Sequence, residues 1–184
     1  MQPRQLRVGL IGTGEMARYY AQAIGDHVAG VKLTSVGSQT LARAEEFAQD
    51  FDIPRAHGEH AAVLSDRLDA VVIASATDTH AFLIEQAAQS STHALCDKPL
   101  GVDVQEIDSA LHAVQQSGIR LATGFNRRFD AALQQAKAVV SSGEIGALEC
   151  LIMISRDPEM PSATELANPN RLFIGSAIHD LDMV

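Results

Sequence analysis

The sequence lacks tryptophan and has few aromatic residues, which make up 4% of its 184 residues. Its apolar runs stay far below the roughly 18 residues that a membrane span needs, so we expect no membrane partner. Basic residues are scarce as well, because 14 Lys and Arg stand against 23 Asp and Glu and give a net charge of -9 at pH 7. Such a chain lacks the positive footprint that binds phosphate backbones, so we expect no nucleic-acid partner.

Cysteine is also rare, and the two present are Cys96 and Cys150. Because Cys96 lies in an apolar run, we expect reduced, buried thiols rather than a disulfide. The first apolar run ends at Ile11, which is too short for a signal peptide, so a cytoplasmic protein is predicted. No metal site is predicted, since four histidines share no ligand spacing: His57, His60, His93 and His112.

Short apolar or β-branched strands alternate with helical patterns from residue 6 to residue 123. Strands are predicted at 6–11, 31–36, 69–75, 93–96 and 119–123, with a brief one within 53–60. Helices are predicted at 15–28, 40–51, 61–68, 78–89 and 102–117. This alternation is typical of an α/β fold with a doubly wound parallel sheet, and it defines a predicted first domain at 1–123.

The pattern changes after residue 123. Residues 128–142 form an amphipathic helical pattern, 147–155 a long strand candidate, and 174–184 the opening of a further helix. These elements cannot bury a sheet face by themselves. We therefore interpret 124–184 as the beginning of a second α/β domain and the chain as the N-terminal part of a longer protein.

The turn after the first strand has the pattern Gly12-x-Gly14-x-x-Ala17, which matches a dinucleotide-binding fingerprint. Gly12 allows a tight turn, Gly14 lets the backbone approach a pyrophosphate, and Ala17 keeps the following helix close to the strand. The alternative is a tight turn with no ligand, which the strand-turn-helix context disfavours. The predicted cofactor contacts of this turn are Gly12, Thr13, Gly14, Glu15 and Met16.

The end of the second predicted strand bears on the choice between NAD and NADP. An acidic residue there would hold the ribose 2′-hydroxyl of NAD, but this chain has Ser38 and Gln39, with Arg43 nearby. These side chains suit a 2′-phosphate, so we favour NADP over NAD, although Arg43 is equally well explained as a solvated helix residue.

Residues that follow the other parallel strands are further candidates, because ligands bind at the carboxyl ends of such strands. Ser75, Thr77 and His80 are predicted to contact the cofactor, the last two at the nicotinamide ribose. Thr77-Asp78 is equally well explained as a helix N-cap. Lys98, within Asp97-Lys98-Pro99, is predicted to contact both the cofactor and a substrate oxygen. A lone Lys-Pro pair is otherwise most often a surface turn.

Six motifs together resemble the Gfo/Idh/MocA oxidoreductase family and, within it, the inositol 2-dehydrogenases. They are Gly12-Thr13-Gly14-Glu15-Met16-Ala17, Thr77-Asp78-Thr79-His80, Cys96-Asp97-Lys98-Pro99-Leu100, Gly124-Phe125-Asn126-Arg127-Arg128-Phe129-Asp130, Ser155-Arg156-Asp157-Pro158 and Ile178-His179-Asp180-Leu181-Asp182. The resemblance implies a Rossmann domain followed by an α/β domain that builds homo-oligomers at full length.

The resemblance also implies roles for two residues. Lys98 would hold the reacting hydroxyl, with Asp97 in place of the usual Glu, and His179 would be the acid/base. Relatives carry an aspartate four residues before that histidine, where this chain has Gly175. For a polyol substrate of this kind, Asn126, Arg127 and Asp157 are candidates for binding further hydroxyls.

We therefore expect an NAD(P)-dependent dehydrogenase that acts on a secondary alcohol of a cyclitol or sugar. Lysine suits the developing alkoxide because it stays charged, and histidine suits proton transfer because it titrates near neutral pH. The alternative is a non-catalytic nucleotide-binding sensor or subunit of the same fold, which Gly175 would favour.

Overall fold

The structure, a computed structural model, describes residues 4–156, 160 and 172–184. The chain divides into two compact units, of which the first ends at Gly124 and the second begins at Phe125. None of the helices in the described residues is long and apolar enough to cross a membrane.

The first unit is built on a six-stranded parallel sheet with the order β3-β2-β1-β4-β5-β6. The strands are β1 Leu6–Ile11, β2 Val31–Gly37, β3 Ala56–His57, β4 Ala70–Ile73, β5 His93–Cys96 and β6 Leu121–Thr123. The helices of this unit are α1 Glu15–His27, α2 Leu41–Asp50, α3 His80–Gln89 and α4 Val104–Ser117. The predicted doubly wound α/β fold is thus confirmed.

Alternate residues of the central strands supply two separate hydrophobic cores. On β4, Val71 and Ile73 belong to the core that includes α3 and α4, whereas Val72 belongs to the core that includes α1 and α2. A sheet covered on both faces needs apolar side chains on both sides, which is why β4 is a continuous apolar run. Phe47 of α2 is 1% exposed and fills the second core.

Two predicted helices of the first unit are shorter or tighter than expected. Residues 61–65 form a 3₁₀ helix rather than a helix to residue 68, and a 3₁₀ turn at Thr77–Thr79 precedes α3. Asp103 caps α4 by accepting hydrogen bonds from the backbone of Gln105 and Glu106. Gly118, with a φ of 72°, ends that helix in the left-handed conformation that glycine adopts readily.

The second unit is mostly helical in the described residues. It contains a 3₁₀ turn at Asn126–Phe129, α5 at Ala131–Ser141, a π-helix at Leu172–Ala177 and α6 at Ile178–Leu181. The predicted helix near the C-terminus is present, but the strand predicted at 147–155 is wrong. All strands in the described residues lie in the first unit's sheet, so this apolar segment has no neighbouring strand to supply hydrogen bonds.

The apolar side chains of 147–155 are accordingly exposed. Ile152 is 79% exposed and Ile154 is 74% exposed. Cys150 is also exposed, which corrects the expectation of two buried thiols, whereas Cys96 is fully buried.

Candidate functional site

A cavity of about 360 Å³ opens at the carboxyl ends of the parallel strands. It lies beside β1, where the strand order reverses between β2 on one side and β4 on the other. Its lining comes from the loops that follow the strands: Gly12, Thr13, Gly14, Glu15, Met16, Ser38, Gln39, Arg43, His60, Ala74, Ser75, Ala76 and Asp97. Doubly wound sheets bind their ligands in this crevice.

The turn at Gly12 depends on the absence of a side chain. Gly12 has a φ of 111°, and a Cβ built on it would lie 2.3 Å from the carbonyl oxygen of Ala74. Its N–H donates to the carbonyl of Gly37 at 2.8 Å. The turn therefore brings the loop after β1 against the backbone that follows β4, and only glycine fits there.

The N-terminus of α1 faces the cavity at Gly14. Gly14 is the N-cap and, having no side chain, accepts no hydrogen bond from the first turn of the helix. A Cβ on Gly14 would meet no atom of the described residues within 4 Å, so the backbone borders open space. First-turn N–H groups and the helix dipole attract anions, and the open approach fits a dinucleotide pyrophosphate.

The end of β2 presents neutral and basic side chains to the cavity. Ser38 is 4% exposed, and its hydroxyl shares a hydrogen bond of 3.0 Å with the hydroxyl of Thr13. Gln39 and Arg43 are exposed. Arg43 also lines an adjoining cavity of about 240 Å³, to which Arg18 contributes. No carboxylate from the end of β2 lines the main cavity within the described residues.

The turn Asp97-Lys98-Pro99 directly follows β5. Its first residue is buried, lines the cavity and donates its backbone N–H to the carbonyl of Ile73 at 2.8 Å. The hydroxyl of Tyr20 donates to Oδ1 of Asp97 at 3.4 Å. Burial, together with the nearby charge of Asp97, raises the pKa of Tyr20 far above its usual value. Lys98 is half-buried, and the Lys98–Pro99 peptide bond is cis.

Gly124, at the end of the first unit, packs against the same carboxylate. Its N–H donates to the carbonyl of Cys96 at 2.8 Å. A Cβ at this position would lie 2.7 Å from the hydroxyl of Tyr20 and 2.8 Å from Oδ1 of Asp97. The three positions therefore leave no room for an added side chain at Gly124.

The second unit has its own cavity, of about 510 Å³. The residues that line it are Arg127, Leu133, Ile154, Ser155, Arg156, Gly175, Ser176 and His179. Hydroxyl, guanidinium and imidazole groups thus meet in one space, which is a suitable set for binding the hydroxyls of a polar ligand.

Two arginines hold the C-terminal helix α6. Arg127 pairs with Asp180, which also accepts a hydrogen bond of 2.9 Å from the hydroxyl of Ser155. The Ser155 hydrogen bond and then Arg127 lower the pKa of Asp180. Arg128 makes a two-pronged contact with Asp182 through Nε and one terminal nitrogen. Because Asp180 lies in α6 and Asp182 is its C-cap, the two contacts fix the C-terminal end of this short helix within the second unit.

Comparison with known proteins identifies the family. Residues 6–125 match the model of the GFO_IDH_MocA family, described as an oxidoreductase family with an NAD-binding Rossmann fold. The chain belongs to this family.

Among Gfo/Idh/MocA relatives, the chain is 33% identical to an inositol 2-dehydrogenase from Rhizobium meliloti, over 97% of this chain and 53% of the relative. It is also 33% identical to a scyllo-inositol 2-dehydrogenase (NAD⁺) from Bacillus subtilis, with the same coverage. The structure of scyllo-inositol dehydrogenase from Lactobacillus casei with NAD(H) and scyllo-inositol matches at a TM-score of 0.74 and 26% identity. That match covers 78% of this chain and 43% of the other. The chain thus spans about half the length of these curated relatives.

Most predicted cofactor contacts of this Gfo/Idh/MocA chain line one cavity. This is true of the five residues of the glycine turn, of Ser38, Gln39 and Arg43, and of Ser75. Thr77 and Lys98 do not line it among the described residues, although the neighbour Asp97 does.

His80, a predicted cofactor contact, lies inside the first unit and does not line the cavity among the described residues. Its side chain is 1% exposed, with Nδ1 2.7 Å from the carbonyl oxygen of Pro99 and Nε2 3.1 Å from that of Ser75. Both ring nitrogens thus face backbone carbonyls of the first unit.

His60 is a cavity residue that the sequence patterns did not reveal as a site residue. It follows β3 and lines the cavity, and burial lowers the pKa of its imidazole. Its position after a parallel strand is the signal that could have found it, but the strand has only two residues and is hard to predict.

Only some of the predicted substrate residues line the cavity of the second unit. Arg127 and His179 line the cavity of the second unit, whereas Asn126 is exposed and does not line it. Asp157 lies outside the described residues. In the described part of the chain, no three His, Cys, Asp or Glu side chains are grouped as metal ligands would be.

Proposed function

We propose that the protein is an NAD(P)-dependent dehydrogenase that oxidises a secondary alcohol of a cyclitol or sugar. The observation that carries the proposal is the glycine-lined cavity at the strand ends in a chain of this family. Relatives named for inositol oxidation support the substrate class.

The residues of the first unit fit the cofactor's phosphates and ribose. Backbone N–H groups at the start of α1 face a cavity that Gly14 leaves open, and they would bind the pyrophosphate. Ser38 and Gln39 would contact the adenosine ribose, and Ser75 the nicotinamide half. When bound, the dinucleotide supplies the acceptor for the hydride of the carbinol carbon.

For the alcohol, we assign Lys98 to the hydroxyl oxygen, where its positive charge stabilises the alkoxide that develops as the O–H bond breaks. His179 is assigned to accept the proton as the carbon–oxygen double bond forms. Arg127, together with Asn126 and Asp157, is assigned to other hydroxyls of the substrate.

We further propose that NADP is preferred over NAD. Arg43 makes no ion pair with the described residues and borders both cavities near the end of β2, where a 2′-phosphate would lie. The names of relatives point to NAD, as does the NAD(H) complex from Lactobacillus casei, so a direct comparison of the two cofactors is required.

The test is reduction of NADP or NAD by the protein in the presence of myo-inositol, scyllo-inositol and a panel of sugars. Lys98→Ala should lower kcat by roughly 10² to 10⁴, the range for positioned polar catalysts, with little change in cofactor affinity. Lys32→Ala, which alters an exposed lysine of β2, is the matched control. Equal turnover of the Lys98→Ala variant and the control would contradict the assignment of Lys98.

The same experiment distinguishes a second candidate function, a nucleotide-binding sensor or subunit without chemistry. Gly175 favours that function, because it places no carboxylate in the cavity that contains His179. Tight cofactor binding without turnover of any alcohol would support the sensor.

A further inference from the structure

His80 is a buried polar residue that the proposed chemistry does not use. It is the first residue of α3 and is 1% exposed. Its two ring nitrogens contact the carbonyl oxygens of Pro99 and Ser75, at 2.7 Å and 3.1 Å.

The direction of these hydrogen bonds is fixed by their partners. A backbone carbonyl only accepts, so the imidazole must donate in each contact. A neutral ring has one N–H and can make one of the two bonds, whereas a doubly protonated ring makes both. The contact from Nδ1 to Pro99 is the shorter one and has the length of a strong hydrogen bond.

The two carbonyls belong to two loops of the first unit, one that follows β4 and one that contains Lys98. Ser75 follows β4 and lines the cofactor cavity. Pro99 directly follows Lys98. On the other side of Lys98, the N–H of Asp97 donates to Ile73 at the end of β4. The backbone is therefore tied to the rest of the unit on both sides of the lysine.

We propose that His80 is a positioning residue for Lys98, acting through its hydrogen bond to the carbonyl of Pro99. This role rests on the proposed function of Lys98. Displacement of a catalytic group by about 1 Å can reduce rate by roughly 10²-fold, so loss of the bond should be visible in kcat. The shorter contact, from Nδ1 to the carbonyl of Pro99, is the bond on which this role depends.

Two substitutions separate the two bonds. The amide nitrogen of asparagine can take the place of Nδ1, so His80→Asn retains a donor for Pro99. The longer glutamine places its amide at the position of Nε2, so His80→Gln has a donor near Ser75 and none for Pro99. Both variants replace the buried ring by an amide, so the two are matched for the loss of the imidazole.

We expect the two variants to differ in kcat while their Tm values are similar. His80→Gln should lower kcat by roughly ten- to hundredfold with the cofactor KM near that of the wild type, as expected for a displaced catalytic group. His80→Asn should keep kcat near the wild-type value, because it retains the donor for Pro99. Equal kcat in the two variants, or losses that follow Tm alone, would overturn the proposal.

An NMR measurement tests the contact without relying on activity. Pro99–Leu100 is the single Pro–Leu pair in the sequence, so ¹³C-carbonyl proline with ¹⁵N-leucine gives one correlation between them. The carbonyl signal should move in His80→Gln and stay close to the wild type in His80→Asn. If neither variant folds, a through-hydrogen-bond coupling between Nδ1 of His80 and the Pro99 carbonyl in the wild type provides the same test. Absence of that coupling overturns the proposal.

The two proposals fail in distinguishable ways. A wild-type protein that turns over no alcohol overturns the proposed function and this role with it, and the carbonyl spectrum then describes a structural contact only. An active wild type whose His80→Gln variant keeps its kcat overturns only the role of His80.

Discussion

Two glycines of the same turn allow cofactor binding to be separated from folding. Gly12 and Gly14 both line the cavity, and both belong to the dinucleotide fingerprint. Their surroundings differ, because a methyl group on Gly12 would meet Ala74 whereas one on Gly14 would point into open space. We therefore expect Gly12→Ala and Gly14→Ala to fail in different ways.

Gly12→Ala should destabilise the first unit. A side chain in a rarely populated backbone conformation costs about 1–3 kcal/mol. The 2.3 Å approach to the oxygen of Ala74 adds a steric cost that overpacking studies place at about 1–3 kcal/mol. Since 1 kcal/mol shifts Tm by about 2–4 °C in a chain of this size, Tm should fall by at least about 4 °C.

Gly14→Ala should leave stability nearly unchanged and weaken cofactor binding. Gly14 has a φ of -79°, which alanine adopts without strain. Loss of a favourable N-cap residue costs about 0.5–1 kcal/mol, and reduced freedom of the unfolded chain returns about 0.4–1 kcal/mol. The new methyl group occupies the space proposed for the pyrophosphate, so the Kd of the reduced cofactor should rise at least about tenfold, or 1.4 kcal/mol.

Scanning calorimetry and titration of reduced-cofactor fluorescence would measure both effects on the same samples. A Gly14→Ala variant that binds the cofactor as tightly as the wild type would refute the placement of the pyrophosphate. A Gly12→Ala variant with wild-type Tm would refute the steric argument for the turn.

The remaining predictions concern the cofactor choice and the response to acid. Ser38→Asp should raise the NADP Kd relative to the NAD Kd by at least about tenfold, since a carboxylate repels a 2′-phosphate and accepts hydrogen bonds from ribose hydroxyls. Ser38→Asn is the neutral control. An unchanged ratio of the two Kd values would contradict the placement of the 2′-phosphate beside Ser38. The backbone N–H of Arg7, with the charges of Arg4 and Arg7, lowers the pKa of Asp69, so its stabilisation is complete above about pH 4 and is lost as the pH falls through the lowered value. Asp69→Asn should therefore flatten the fall of Tm below pH 4, whereas Asp26→Asn, at an exposed position, should leave it steep.

The parallel sheet could be predicted from the sequence because each strand-helix unit has its own local sequence pattern. The apolar run of β4 indicates a buried strand, and the glycine at position 12 indicates a tight turn. Both patterns lie within a few residues of sequence. The strand predicted at 147–155 was wrong because pairing depends on a second strand elsewhere in the chain, which an apolar pattern does not reveal.

In the candidate site, too, local features were predictable and contacts between distant residues were not. The residues of the glycine turn and Ser38 were predicted from their positions after strands, and they line one cavity. The environment of His80 was not predictable, since its partner Pro99 lies 19 residues away in sequence. The crowding of Gly124 by Asp97 and Tyr20 likewise joins three distant parts of the chain.

That crowding has a consequence for how this protein can change. Tyr20, Asp97 and Gly124 share one small volume, so a larger side chain at one position requires a smaller one at another. A glutamate at position 97 would add a methylene group beside a hydroxyl and a backbone that are already in contact with the shorter side chain. We expect evolution and laboratory selection alike to alter these three positions in concert, and a single exchange at position 97 to be rescued by shortening Tyr20.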